Sequence, residues 1–214
     1  VIYNRLSLTS NKNIFMKTFL HVGCGPQDKS NIVGFNNDNW KEIRFDIDQN
    51  VNPDIKGTLT DMRLVESGSI DAIYSSHNIE HVYPHEVPTV LKEFYRVLKD
   101  DGMVILICPD LQTVCEAVVK DKLLEPLYES DGLPISPIDI LYGLRSSVAL
   151  GNEYMAHKGG FTYSVLNSAF LQAGFKMNFG GRRQERWELF IVSFIQQKSE
   201  EEAKQIAITF LSDE

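Results

Sequence analysis

Short apolar runs recur along the first half of the chain and are separated by polar or helical stretches. Runs of this length, rich in β-branched and aromatic residues, indicate β-strands. The last run, "MVILIC", has no polar residue, which is typical of a strand buried on both faces of a parallel sheet. We predict five strands in this half, at residues 18–22, 42–46, 54–57, 70–75 and 103–108.

Helical periodicity fills most of the gaps between these strands. Residues 85–98 place apolar side chains at a spacing of three or four, which predicts an amphipathic helix. Further helices are expected after Asp110, from Ser136 as N-cap, and over 162–173, where Gly174 marks the end. Residues 28–40 are too polar and too rich in glycine and asparagine for a long helix, so a short helix or loop is expected there.

The end of the chain shows a different pattern. Two strands, at 175–182 and 189–196, follow each other without an intervening helix, so we expect them to be antiparallel. A capping-box pattern at Ser199 and Glu202 predicts a C-terminal helix over 199–212. The prediction is one α/β domain over residues 1–214, with a mostly parallel seven-stranded sheet that ends in an antiparallel hairpin. Residues 111–160 are long for a connection and are expected to form a partly helical cap over the site.

The composition and net charge argue against several classes of function. The 214-residue chain has a formal net charge of −8, which argues against a broad surface for nucleic acid or an anionic membrane. No apolar run approaches the roughly 20 residues of a membrane span, and the first residues lack the apolar core of a signal peptide. The three cysteines, Cys24, Cys108 and Cys115, show no metal-site spacing. We therefore expect a cytoplasmic protein without a metal site.

Gly23-Cys24-Gly25 follows the first predicted strand and has the form of a nucleotide-binding turn. In a dinucleotide fingerprint a third glycine would stand where this chain has Asp28. A carboxylate about 4 Å from a phosphate is repelled by roughly 4 kcal/mol at an effective dielectric constant near 20. Pro26 also lacks the N–H that a phosphate would use. The turn therefore favours a ligand without phosphate and weakens the case for a nicotinamide oxidoreductase.

Polar residues follow the other predicted strands as well. Because the carboxyl ends of parallel strands share one rim of the sheet, these residues should converge there. Asp46 lies about 20 residues after the glycines, a spacing suited to a carboxylate that accepts hydrogen bonds from ribose hydroxyls. Asp48, on the same face of the chain, is the alternative candidate for this ribose-binding role. The other strand-end residues are Asp61, Met62, Ser75, Ser76 and His77.

The segments "FLHVGCGP", "RFDID", "LTDM", "SIDAIYSSHNIEHV" and "FYRVLKDDGMVILICPD" occur in this order over residues 19–110. In this ordered set the chain resembles class I S-adenosylmethionine-dependent methyltransferases, in particular their type-11 group. "FLQAGFKMNF" resembles the late part of the same Rossmann-like fold. S-adenosylmethionine carries no phosphate, which agrees with Asp28 and Pro26. The resemblance therefore implies a methyltransferase with this cofactor.

The resemblance also implies roles for individual residues. The backbone of the glycine turn would admit the amino-acid tail of the cofactor, and Asp46 and Ile47 would hold the ribose region. Asp61 and Met62 would flank the adenine, and residues 75–77 would lie beside the sulfonium. The implied cofactor-binding residues are Gly23, Cys24, Gly25, Asp46, Ile47, Asp61, Met62, Ser75 and Ser76. Two positions depart from the family pattern, His21 in place of an acidic residue and Gln27 in place of a glycine. A non-catalytic module that binds the cofactor or a partner is therefore the alternative.

Histidines are the candidate general bases. A neutral imidazole suits proton abstraction near pH 7 if the acceptor is a hydroxyl or an acidic carbon. His77 and His81 follow the fourth strand, where the resemblance places the transferred methyl group, and His157 ends the cap. We expect these three to be catalytic, whereas His21 and His85 are expected to be structural. The sequence leaves open whether oxygen, nitrogen, carbon or sulfur accepts the methyl group.

The cap holds aromatic and basic side chains that would suit a compact acceptor. With the negative net charge, this favours a small molecule over nucleic acid or a protein tail. The same side chains could instead pack the cap or form the face of a homodimer.

Overall fold

The computed structural model describes residues 16–130 and 132–211. The amino-terminal stretch analysed for a signal peptide, and residue 212 at the end of the predicted C-terminal helix, lie outside these ranges.

A seven-stranded sheet forms the centre of the fold. Its parallel part contains β1 (Lys17–Val22), β2 (Trp40–Asp46), β3 (Ile55–Lys56), β4 (Ile70–Ser76) and β5 (Leu98–Pro109). A separate two-stranded hairpin, β6 (Tyr128–Ser130) and β7 (Leu133–Ile135), lies within the cap segment. The predicted end hairpin is β8 (Met177–Arg183) and β9 (Glu188–Phe194), and β9 is antiparallel to β5. The spatial order is β3-β2-β1-β4-β5-β9-β8, which confirms the predicted fold class.

Six α-helices lie in the described parts of the chain. Around the sheet are α1 (Val87–Val97), α5 (Tyr163–Ala173) and α6 (Glu200–Leu211). The cap segment adds α2 (Leu111–Val119), α3 (Pro137–Tyr142) and α4 (Arg145–Ala149). Ser136 and Asp139 form the capping box that starts α3, and Gly174 ends α5 in a left-handed conformation, as the sequence indicates. The stretch after the glycine turn is a single 3-10 turn, Lys29–Asn31, in a loop.

Two hydrophobic layers sandwich the sheet. Alternate residues of each strand face opposite layers, so Leu20 and Val22 pack with α1 and α5, whereas Phe19 packs with α6. On the α6 side the loop after the glycine turn contributes Phe35, whose ring stacks on Phe19 at 4.0 Å between centroids. No helix within the described residues is long and apolar enough to cross a membrane.

Two strands differ most from the sequence prediction. β5 begins at Leu98 rather than at residue 103, because Leu98 already pairs with Ile70, and the strand runs through an irregular stretch before Met103 pairs with Ala72. β3 contains only two residues, although four were predicted. Its short pairing ends where the Gly57 N–H donates to the Asp46 carbonyl oxygen at 2.9 Å, and the chain then turns away.

Candidate active site

A cavity of about 380 Å³ opens at the carboxyl ends of β1, β2 and β4. This volume lies near the lower end of the roughly 300–1,000 Å³ typical of small-molecule sites. Its walls come from the glycine turn, the end of β2, the loop after β3, the turn after β4 and the distal part of the cap. The lining residues used below are Gly23, Gly25, Asp46, Ile47, Asp48, Thr58, Leu59, Thr60, Asn78, His81, Glu86, Asn152, Tyr154, Met155 and Lys158.

The glycine turn closes one end of this cavity. Gly23 and Gly25 have φ angles of +65° and +53°, a left-handed conformation that favours glycine. A Cβ atom at Gly23 would lie 2.2 Å from Nδ2 of Asn78, so this glycine permits close packing against the turn after β4. A Cβ atom at Gly25 would meet open space. Gly25 therefore presents bare backbone to the cavity.

Asp46 connects the glycine turn to the end of β2. Its Oδ2 accepts a hydrogen bond from the Gly25 N–H at 2.8 Å, and its Oδ1 accepts one from the Asp48 N–H at 2.9 Å. The residue is only 9% exposed, and it borders the cavity. Each carboxylate oxygen keeps a second lone pair that a ligand hydroxyl could use. Ile47 is 38% exposed on the same wall, which leaves an apolar surface for a flat ring.

Arg44 holds the backbone on both sides of this wall. Its Nη2 donates to the carbonyl oxygens of Gly25 at 2.6 Å and Val51 at 3.0 Å. Its Nη1 donates to the carbonyl of Asn52 at 2.9 Å, and its Nε donates to that of Gln27 at 3.1 Å. One guanidinium thus fixes the glycine turn and the turn after β2 relative to each other.

The loop after β3 reaches the cavity through Thr58, Leu59 and Thr60. Asp61 and Met62, which the resemblance assigned to the adenine, lie next to this wall and are not among the cavity-lining residues. Asp61 pairs with Arg63 at 2.7 Å at the surface, and Met62 is fully buried. Burial of Met62 turns its side chain into the core and away from the cavity.

The "FYRVLK" segment explains how this loop is held. Glu93 accepts a hydrogen bond from the Met62 N–H at 2.8 Å, and Arg96 donates to the Met62 carbonyl at 2.8 Å. Arg96 also donates to the carbonyl of Val65 at 3.0 Å and pairs with Glu93 at 2.7 Å. Part of the sequence that carries the family resemblance thus supports the loop next to the cavity without lining it.

Three more implied cofactor-binding residues are also absent from the cavity wall. Ser75 is buried, and its hydroxyl has no hydrogen-bond partner. Ser76 follows it at the end of β4. Cys24 is buried beneath the turn, and burial raises the pKa of its thiol to about 11. The structure therefore brings together Gly23, Gly25, Asp46 and Ile47 and leaves these three outside.

Two carboxylates favour the protonated form of His77. Its Nε2 lies 3.0 Å from Oε1 of Glu188, and its Nδ1 lies 3.6 Å from Oε1 of Glu80. Burial disfavours the imidazolium, but the two carboxylates outweigh burial and raise the pKa of His77 to about 10. A protonated imidazole has no lone pair to accept a proton, so this charge disfavours the predicted role as a general base. His77 also lies outside the cavity lining.

The other two candidate histidines meet beside the cavity. The rings of His81 and His157 are 4.8 Å apart between centroids and nearly perpendicular, at 73°. His81 lines the cavity, whereas His157 lies behind it. Burial lowers the pKa of His157, so its neutral form is favoured near pH 7. The structure therefore pairs these predicted residues, one from the turn after β4 and one from the cap.

His21 lies on the opposite face of the sheet and belongs to the packing, as expected. It is buried, and its Nδ1 lies 2.7 Å from Oε1 of Glu42. Its ring also contacts Tyr74 edge-on at 5.4 Å.

Comparison with known proteins identifies a protein family that part of this chain resembles. Residues 20–106 match the family model described as "Methyltransferase domain", type 11. Residues 20–106 are thus similar to a methyltransferase domain. This match confirms the resemblance to class I S-adenosylmethionine-dependent methyltransferases, and with it the predicted enzyme class and cofactor. Curated proteins give no match to the sequence.

Solved structures share the fold of this methyltransferase domain at low sequence identity. One is an S-adenosylmethionine-dependent methyltransferase from Listeria monocytogenes, with 16% identity, a TM-score of 0.55, and coverage of 86% of this chain and 92% of the other. A second is an O-methyltransferase from Nostoc punctiforme, with 14% identity, a TM-score of 0.50, and coverage of 83% and 52%. This chain thus spans about half the length of the Nostoc protein.

A third structure holds ligands. It is the 1,6-didemethyltoxoflavin-N1-methyltransferase of Burkholderia thailandensis with bound 1,6-didemethyltoxoflavin and S-adenosylhomocysteine. It has 13% identity and a TM-score of 0.50, and the alignment covers 83% of this chain and 70% of the other. At these low sequence identities, the similarity to the three solved structures shows a shared fold and nothing more.

Several cavity residues of the methyltransferase domain were not predicted. Asn78 follows His77 directly, and its buried Nδ2 has no hydrogen-bond partner. Its position one residue beyond the strand-end cluster could have suggested it. The cap residues Asn152 and Lys158 carried no local signal, because only the tertiary fold brings them to the cavity.

Proposed function

We propose that this methyltransferase domain binds S-adenosylmethionine in the cavity at the carboxyl edge of the sheet and transfers its methyl group to a small-molecule acceptor. The observation that carries the proposal is the joint geometry of Gly25 and Asp46. Bare backbone and a carboxylate, linked by a 2.8 Å hydrogen bond, border one cavity.

The cavity chemistry supports a cofactor without phosphate. Asp46 and Asp48 give its β2 wall a negative character that disfavours a pyrophosphate and suits ribose hydroxyls. We propose that Ile47 and the residues 58–60 enclose the adenine, since they form the neighbouring part of the wall. The unpartnered Nδ2 of Asn78 would donate a hydrogen bond to the cofactor near the glycine turn.

The acceptor would enter between the cap and the turn after β4. This end of the cavity is lined by His81, Glu86, Tyr154 and Lys158, which offer aromatic, acidic and basic groups within a small space. The ammonium group of Lys158 also lies 5.1 Å from the ring centroid of Tyr83, an exposed residue of the turn after β4. A cavity of this size and a net charge of −8 support a small metabolite over a nucleic acid.

In-line approach would supply much of the rate acceleration, because holding the acceptor and the sulfonium methyl group in contact removes much of the entropic cost of their encounter. The methyl group passes to the acceptor, and S-adenosylhomocysteine leaves. His81 is the candidate base that borders the cavity.

The test is incubation of the full chain with S-adenosylmethionine that carries a trideuterated methyl group, together with a small-metabolite extract. Mass spectrometry should find an acceptor that gains the labelled methyl group, with equimolar S-adenosylhomocysteine. Asp46→Ala should give much less of both products at cofactor concentrations that do not saturate the variant. Cofactor binding without any labelled product from acceptors of all four atom types would favour the non-catalytic module. Cytoplasmic location and a homodimer stay predictions.

A further inference from the structure

Three metal-ligating side chains meet at the edge of the cavity. Glu80, His81 and His157 each offer one ligand atom, and these atoms all lie within 4.8 Å of one another. Glu80 and His81 belong to the turn after β4, whereas His157 comes from the cap. Cysteine spacing gave no sign of a metal site, because this cluster contains no cysteine and its members are far apart in sequence.

The carboxylate of Glu80 is the first indication of a ligand. Glu80 is 1% exposed, and both of its side-chain oxygens are buried without a hydrogen-bond partner. Nδ1 of His77 lies 3.6 Å from Oε1, close enough for an ion pair but beyond hydrogen-bond distance. A buried charged group with unfilled lone pairs is costly unless something binds it. The backbone around Glu80 is rigid, since its carbonyl oxygen accepts hydrogen bonds from the N–H groups of Lys158 and Gly159 at 2.8 and 3.1 Å.

The orientation of the two imidazoles is the second indication. Nδ1 of His81 lies 3.1 Å from the carbonyl oxygen of Ala156, and Nδ1 of His157 lies 2.7 Å from that of Ile140. A carbonyl oxygen only accepts hydrogen bonds, so each Nδ1 carries the proton, and Nε2 of each neutral ring keeps its lone pair. Metal-binding histidines are typically held in this way, with the second ring nitrogen bonded to a backbone carbonyl.

We propose that the Glu80 carboxylate and the Nε2 atoms of His81 and His157 bind one divalent transition-metal ion of the zinc type. Two imidazoles and one carboxylate suit zinc, cobalt or iron, whereas magnesium and calcium prefer oxygen ligands alone. Bonds of about 2.1 Å require donor atoms to lie within about 4.2 Å of one another, so side-chain shifts below about 1 Å would complete the site.

The position of this metal site gives it a role. His81 also lines the cavity, so an ion bound there would lie at the acceptor end. Three protein ligands leave coordination positions open for an oxygen of the acceptor. This role rests on the proposed function, whereas metal binding does not, and with the ion bound Nε2 of His81 is a ligand and is not free to act as the base. The ion would also join the cap to the turn after β4 through His157.

The test is titration of the full chain, freed of metal by dialysis against a chelator, with Co²⁺. Visible d–d absorption reports an imidazole-containing site, and Zn²⁺ should abolish the bands by competition. We expect one equivalent to bind. His81→Gln, His157→Gln and Glu80→Gln should each weaken binding by about 100-fold or more. His85→Gln is the control, since His85 stacks on Tyr83 outside the cluster, and it should bind Co²⁺ as the parent does.

Circular dichroism of each variant checks that it is folded. Absence of saturable Co²⁺ bands in the parent chain would overturn the proposal, as would bands that survive in folded His81→Gln and His157→Gln. Titration with S-adenosylhomocysteine in the same samples separates the two proposals. Failure of the metal site leaves cofactor binding intact, whereas failure of the proposed function appears as a lack of cofactor binding in the parent chain.

Discussion

The carboxylate of Asp46 organises the glycine turn through the fold itself. Because Oδ2 accepts from the Gly25 N–H and Oδ1 from the Asp48 N–H, the side chain is fixed at the cavity wall. A carboxylate held in this way loses little conformational entropy when a ligand hydroxyl binds it.

We therefore expect Asp46→Ala to weaken binding of S-adenosylmethionine by about 1–3 kcal/mol, since the ribose loses a charged acceptor and the turn loses its anchor. Equilibrium dialysis with labelled cofactor measures this change. Asp61→Asn is the matched control, because Asp61 pairs with Arg63 away from the cavity, and its affinity should stay within about two-fold of the parent. Equal losses in both variants would contradict the assignment of Asp46.

The three thiols differ in burial, and we expect their reactivity toward a disulfide reagent to differ accordingly. Burial raises the pKa of Cys24 to about 11 and that of Cys108 well above its ordinary value, so both stay protonated near pH 8. Cys115 is exposed on α2. Since the thiolate is the reactive form, a disulfide reagent at pH 8 should modify one thiol rapidly in the folded chain and three after unfolding in urea. Cys115→Ser should abolish the rapid phase, and rapid modification of Cys24 would contradict the buried turn.

Local sequence patterns were sufficient to predict only some of the site residues. Gly25, Asp46 and Ile47 follow strands directly, so the strand pattern places them at the rim of the sheet. Asn78 and Thr58 reach the cavity through the shapes of irregular loops, which have no sequence period. The contact of His81 with the carbonyl of Ala156 joins residues 75 positions apart, and no local pattern indicates it.

At the scale of elements, the cavity depends on loops that are fixed to one another. Arg44→Ala removes all four hydrogen bonds from its guanidinium to the backbone of the two turns. We expect the dissociation constant of the cofactor to rise about ten-fold, which corresponds to about 1.4 kcal/mol. Calorimetric titration measures it, and Lys41→Ala, at an exposed position of the same strand, should leave it unchanged. An unchanged dissociation constant in Arg44→Ala would show that the two turns keep their positions without the hydrogen bonds of Arg44.

The start of the cap is held by a buried ion pair. Asp110 is fully buried at the N-terminus of α2, and Arg182 of β8 donates to its Oδ2 at 2.6 Å. Thr113 also donates to the same oxygen. Arg182→Met should lower the free energy of unfolding by about 3 kcal/mol, because the carboxylate is left buried and unpaired.

Urea denaturation measures the loss in Arg182→Met. Asp110→Asn combined with Arg182→Met should recover part of the stability, since the unpaired charge is gone. If the two substitutions acted independently, the double variant would be less stable than Arg182→Met by the whole cost of Asp110→Asn. That result would contradict the pairing of Asp110 with Arg182.

Elements with a strong period were predicted, and those set by tertiary contacts were not. The apolar run of β5, the period of α1 and the end hairpin all appear in the fold. The hairpin of β6 and β7 was missed because its short strands are mostly exposed and show no clear alternation of apolar and polar residues. β3 is shorter than predicted, since only Ile55 and Lys56 pair with β2, opposite Phe45 and Asp46.

At the scale of the whole molecule, the two faces of the sheet are covered differently. Helices α1 and α5 cover one face, whereas the other is covered by α6 and an aromatic loop in place of a long first helix. Phe35 of this loop and Trp40 at the start of β2 contact Phe210 of α6, with ring centroids 4.6 and 5.9 Å away. This packing stabilises the strands behind the glycine turn and leaves their carboxyl ends open to form the cavity.

Calorimetric titration of the full chain with S-adenosylhomocysteine tests the account most directly, because the product binds whether or not the acceptor is known. A parallel titration with NAD⁺ controls for nucleotide binding in general. We expect saturable binding of one molecule of S-adenosylhomocysteine per chain, strongly weakened in Asp46→Ala, and no measurable binding of NAD⁺. Binding of NAD⁺ in its place, or S-adenosylhomocysteine affinity that Asp46→Ala leaves unchanged, would contradict the account.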